Sequence, residues 1–321
     1  MNRTVSSLPR QLLALPTIAA AAALAVACGP AAALTGDDPS QAVTTALQKA
    51  ATTPLVMALS GSLSLDTSSL QNLPASIQSA LTGLGSGGSA TGTLKQESST
   101  RRQLTASAGG HTLSAVEYDG HAYVSLDGGG YAELSTSLPA SPAATGSQLG
   151  TLVGDLNLQD QGTITDNGAS EEHYHAAITG DLLGKLAQDL AGGSASASQA
   201  GQYLGMLTPF ITVKSGSVDI WLSRGDGSLV RASVSASLSV DVGSLASLIG
   251  GLASPGSGST ALPSGTLGIT LSLDARVSNY GGAVTITKPV ATGTMPMSPW
   301  SELFPSGPMH GFMGFSTLPA V

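Results

Sequence analysis

Near the C-terminal end of the chain, apolar side chains recur at every second position. Val230, Ala232, Val234, Ala236, Leu238, Val240 and Val242 share one side, opposed by Arg231, Ser233, Ser235, Ser237, Ser239 and Asp241. Leu267, Ile269, Leu271, Leu273, Ala275 and Val277 repeat the pattern against Thr270, Ser272, Asp274 and Arg276, and an earlier run places Leu55, Met57, Leu59, Leu63 and Leu65 together. A period of two is that of a strand with one buried face. A face left wet argues for antiparallel pairing. Tyr118-Asp119-Gly120-His121 and Arg224-Gly225-Asp226-Gly227 carry hairpin chemistry, since Gly accepts the positive φ that tight turns between paired strands require.

Elsewhere the period changes to that of a helix. Ser40 can cap a helix that places Val43, Ala46, Leu47 and Ala50 on one face. Narrow leucine stripes recur at Leu73, Ile77, Leu81; at Leu149, Leu152, Val153, Leu156; at Leu182, Leu186, Leu190; at Tyr203, Leu204, Leu207; and at Leu245, Leu248, Ile249, Leu252. Each is bounded by Gly, Ser or Pro and can cover a sheet without burying itself. The fold class expected is therefore α+β, an antiparallel sheet with several short helices. Gly83 to Gly92, Gly192 to Gln202 and Ser254 to Gly265 read as loops. Strand patterns continue on both sides of each, so residues 41–290 are expected to form one domain. A tail, residues 291–321, follows with Met295, Met297, Trp300, Phe304, Met309, Phe312, Met313 and Phe315.

The start of the chain has a different logic. Arg3 and Arg10 precede an apolar run from Leu12 to Ala27 that contains Pro16 and ends on Cys28, the one cysteine of the chain. A run of sixteen is short of the ~20 residues that span a bilayer and matches the h-region of a secretory signal. Ending on a cysteine, it resembles the lipobox of bacterial lipoproteins, in which the thiol is acylated and becomes the mature N-terminus. Residues 1–27 are then a lipoprotein signal peptide, Cys28 the lipid attachment site, and 28–40 an acylated tether. The anchored location expected is the outer side of the cytoplasmic membrane.

Charge narrows the partners. The chain has 12 Lys+Arg against 20 Asp+Glu, a net charge of −8, and charged residues make up only 10% of it. So few basic residues leave no footprint for nucleic acid. With Cys28 acylated no internal disulfide can form, and stability must come from the core.

Catalytic and metal chemistry is not expected. No Gly-x-Ser-x-Gly elbow occurs, and Gly83-Leu84-Gly85-Ser86-Gly87-Gly88 follows a helical stripe instead of a strand, out of context for a dinucleotide site. In Glu171-Glu172-His173-Tyr174-His175, a strand would put His173, His175 and Glu171 on one side, a cramped metal geometry. The simpler reading of that stretch is a solvent-facing edge strand. The expectations are no enzyme, no cofactor and no metal.

Four segments resemble the actinobacterial envelope lipoproteins of the LppX/LprG type: Tyr118 to Val124, containing Asp119-Gly120 and Tyr123-Val124; His173-Tyr174 to Asp181-Leu182; Asp219-Ile220-Trp221-Leu222 through Gly227 to Arg231; and Ser278 to Ile286, followed by Lys288-Pro289. That resemblance implies a LolA-like fold, a strongly curved antiparallel half-barrel wrapping helices, with an apolar cavity that shelters the acyl chains of an amphiphilic lipid or lipoglycan. The inward faces of the long strands then provide the lining, chiefly Leu59, Leu63, Val234, Leu238, Ile269 and Leu271. The alternative is an envelope interaction protein with a packed core, contacting a protein partner through its loops or its Met/Phe-rich tail.

Overall fold

The computed structural model describes residues 38–72, 88–134, 153–166, 168–191, 205–244 and 263–295. The expected signal segment, Cys28, the leucine stripes at 73–81 and 245–252, and the tail beyond residue 295 lie outside them.

The first element is α1, Pro39–Thr52. Asp38, not Ser40, caps it: its carboxylate accepts the Ser40 N–H at 2.9 Å, with Pro39 fitting the first helical position. Val43, Ala46, Ala50 and Ala51 are fully buried, so the expected face is the packed one. Lys49 in the last turn donates to the Asp226 carbonyl at 3.0 Å.

Twelve strands follow: β1 Leu55–Asp66, β2 Gly88–Ser98, β3 Arg101–Ala108, β4 His111–Tyr118, β5 His121–Leu126, β6 Tyr131–Leu134, β7 Gln159–Asp166, β8 Ala169–Ala177, β9 Ile211–Ser223, β10 Leu229–Asp241, β11 Thr266–Tyr280 and β12 Ala291–Met295, with a second helix, α2, at Gly180–Ala191 between β8 and β9. They form one sheet in the order β12-β6-β5-β4-β3-β2-β1-β11-β10-β9-β8-β7. The two halves of the chain meet where β11 pairs antiparallel along the whole of β1. Hairpin chemistry works as read: Asp119 and Gly120 have φ 50° and 87°, the doubly positive turn that joins β4 to β5.

β7 and β12 form the two edges, so the sheet is open. A twisted sheet of this width curls. Residues from seven adjacent strands, β3-β2-β1-β11-β10-β9-β8 in sheet order, share one buried cluster with α1. Seven strands span about 29 Å laterally and a helix with its side chains only about 10–12 Å, so the sheet bends around the helix.

Local details differ from the expectation. Gly88 to Gly92, read as loop from composition, belong to β2. Glycine there reflects close approach: a Cβ on Gly92 would lie 2.8 Å from the Thr105 carbonyl oxygen of β3. Pairing is not wholly antiparallel, because β12 runs parallel to β6. The segment leading to it crosses the outer face, burying Ile286 against Val116 and Tyr123, while Glu97 accepts the Ile286 N–H at 2.8 Å. That end of the sheet is therefore dry on its outer side too, and the first five residues past 290 join the sheet. Finally, β8 is an interior strand between β7 and β9, not an edge.

Candidate functional site

The inner face of the sheet is built by alternation. Because paired residues of antiparallel strands project to the same side, the register collects the apolar halves of β1, β11, β10 and β9 into continuous rows. Leu63 faces Leu271, which faces Ala236; Leu65 faces Ile269, which faces Leu238 and then Val213; Gly61 faces Leu273, then Val234 and Val218. Four of the expected lining residues thus form two direct pairs, Leu63 with Leu271 and Leu238 with Ile269, and Val234 lies in the next row.

This face has two zones. At the α1 end, Leu55, Met57 and Leu59 are 1%, 0% and 3% exposed, with Ala275, Ile220, Leu222 and Leu229 closing the same core. Leu59 belongs to this packed zone. Farther along, Leu63, Leu65, Val234, Leu238, Ile269 and Leu271 are only partly buried, on the same strands and the same face. A third apolar area continues across β3 to β6 through Leu104, Ala115, Val124 and Ala132, likewise partly buried.

Polar side chains interrupt the inner face, among them a row of three that the sequence reading passed over. Gln96 on β2 is 1% exposed and its amide donates to the Ala50 and Thr53 carbonyls at 2.7 and 2.8 Å, satisfying the open C-terminal end of α1. Beside it in the same row stand Arg102 on β3 and Glu117 on β4. Their signal was the period itself, since Arg102 precedes Leu104, Ala106 and Ala108 by even steps.

The outer face is polar and tightly paired. His173 Nε2 and His175 Nδ1 both lie 2.9 Å from Oδ1 of Asp219 on β9, whose other oxygen accepts from Ser217 at 3.0 Å. The His173 ring stacks on Trp221 at 4.7 Å, and the Arg231 guanidinium stands 4.6 Å over the Trp221 ring. The two histidines therefore meet Asp219, while Glu171 is buried separately, its pKa raised by burial and by nearby Asp166 against the pull of Arg276 and Arg231.

Burial disfavours ionisation of Asp219, but hydrogen bonds from His175, His173 and Ser217 together outweigh it and hold the carboxyl below its ordinary value of 3.8. A depressed carboxylate stabilises the fold above its unfolded pKa, and that stability is lost as pH falls through the folded pKa. Asp219→Asn should therefore cost about 1–2 kcal/mol at neutral pH. The gap to the parent should close below about pH 4. Urea unfolding at pH 7 and pH 3 checks this; an equal gap at both would remove Asp219 from the acid response.

No family model matches this chain, and no curated protein does. Solved structures resemble it, among them two mycobacterial proteins. LprF from Mycobacterium bovis is 12% identical with a TM-score of 0.30, over 74% of this chain and 90% of that one. The Mycobacterium tuberculosis lipoprotein LppX is 14% identical with a TM-score of 0.31, over 72% and 89%.

Proposed function

We propose that this chain is an envelope lipoprotein of the LppX/LprG type, anchored through Cys28, which holds an amphiphilic lipid against the inner face of its sheet and carries or presents it across the envelope. The observation that carries this reading is the unequal burial of one apolar face. Leu55, Met57 and Leu59 are closed in the core with α1, whereas Leu63, Leu65, Leu238, Ile269 and Leu271, on the same face, are left partly exposed. Covering such surface is worth roughly 25 cal/mol per Å². An acyl chain leaves a bilayer only for a surface of similar apolarity, and the broad outer half of that face offers one.

The mechanism is physical: no covalent bond changes, and the rigid β1-β11-β10 sheet provides a preformed bed for the chains. The four sequence segments and the lipobox-like Cys28 add support from outside the site. Native mass spectrometry of the protein purified from membranes tests it. A bound species whose mass matches a membrane lipid is expected, whereas a bare protein mass under conditions that retain other lipid ligands would favour the packed interaction protein.

A further inference from the structure

Arg101 and Arg102 are adjacent in sequence, and the strand period sends them to opposite faces. Arg101 lies on the outer face, where its Nε and Nη2 each reach an oxygen of Asp119 at 3.0 Å, a two-pronged grip on a carboxylate. Arg102 lies on the inner face, in the row Gln96, Arg102, Glu117, Ala122. Its side chain is only 14% exposed, and its Nη1 sits 3.5 Å from Glu117, a loose ion pair. Arg102 Nε and Nη2 are buried with no hydrogen-bond partner among the described residues.

These two nitrogens form one complete fork of the guanidinium, with parallel N–H bonds that match two oxygens of a carboxylate or phosphate. Buried unpaired donors of this kind are rare in folded proteins because each forfeits its hydration. Arginine stays protonated in proteins and cannot escape by neutralising. The neighbours on the same face are apolar: Leu104 and Ala115 in the next row, with Val124 and Ala132 beyond them. A buried charged fork beside apolar rows of the same face fits a ligand with an anionic oxygen pair at one end and hydrocarbon at the other.

We propose that Arg102 is the headgroup-recognition residue of the inner face, and that the amphiphile held there is anionic, gripped through two oxygens of a phosphate or carboxylate by Nε and Nη2 while its chains lie on β3 to β6. This rests on the lipid-holding reading above and adds the charge class of the lipid. Glu117, bound to the opposite side of the guanidinium, orients the fork and limits how much negative charge the site accepts.

Two measurements on the chain without its signal segment separate the proposals. In the first, inorganic phosphate is titrated while the Arg102 Nε–H resonance, identified by its disappearance in Arg102→Lys, is followed. In the second, dioleoylphosphatidylglycerol and dioleoylglycerol, which share their chains, are compared as ligands in detergent. The parent protein should prefer the anionic lipid by about 10- to 100-fold, the worth of a charge-assisted pair. Arg102→Met, close in shape and still folded by its melting curve, should lose the preference while keeping dioleoylglycerol. Arg102→Lys, with the charge but no fork, should recover only part of it, and Glu117→Gln should strengthen phosphate binding. An unmoved Arg102 resonance, or a preference unchanged in Arg102→Met, overturns the assignment even where dioleoylglycerol binds. A phosphate-sensitive Arg102 in a protein that retains neither lipid keeps the anion site and brings down the lipid-holding reading instead.

Discussion

Replacing Cys28 by Ser is expected to move the protein from the membrane fraction into the soluble one. One acyl chain gives only marginal, reversible attachment, whereas a thioether-linked diacyl group with a further amide-linked chain holds stably. Among the described residues no helix is long and apolar enough to cross a membrane. Cell fractionation with immunoblotting reads the change, and the melting temperature of the released protein should match the parent, because Cys28 precedes the first element of the sheet domain. A Cys28→Ser protein that stays in the membrane with its leader uncut would sink the lipobox reading.

The second large effect comes from enlarging one side chain in each zone of the inner face. Leu59 is 3% exposed and enclosed by the α1 core, so Leu59→Trp should overpack it at about 1–3 kcal/mol and lower Tm by roughly 2–12 °C. Leu271 faces Leu63 on the same side of the sheet but is only partly buried. Leu271→Trp should leave Tm nearly unchanged and displace co-purifying lipid, with Val234→Phe in the neighbouring row behaving alike. Thermal melts and lipid extraction on the same preparations give both readouts. Equal destabilisation at Leu59 and Leu271, with lipid content unaltered, would mean that the whole inner face is packed core.

The contrast between those two leucines marks what local pattern can and cannot carry. Leu59 and Leu271 occupy identical positions in the alternation, and both were assigned to the same lining. Their difference comes from the buried cluster around α1, which takes in Leu59 and not Leu271, and no periodicity records where a helix docks. Gly88 to Gly92 were misread for a related reason: composition says loop, while the close approach of Thr105 that requires Gly92 belongs to the neighbouring strand. The histidines of β8 follow suit. Their shared face was visible in the sequence, but their partner Asp219 lies 44 residues from His175 and was supplied by pairing with β9.

The sequence by itself determined the period of the long strands, the hairpin at Asp119-Gly120 and the buried face of α1, because each depends on residues within one or two turns of chain. The paired row that sets Arg102 between Gln96 and Glu117 had a local trace in the even spacing to Leu104 and Ala106. That Arg102 Nε and Nη2 lack a hydrogen-bond partner among the described residues had no such trace. Strand order, the closure of β11 onto β1, the parallel β12 and the two zones of the inner face were decided only by the tertiary structure, since each rests on contacts between segments far apart in the chain, and the free energy of those contacts leaves no periodic mark on either segment alone.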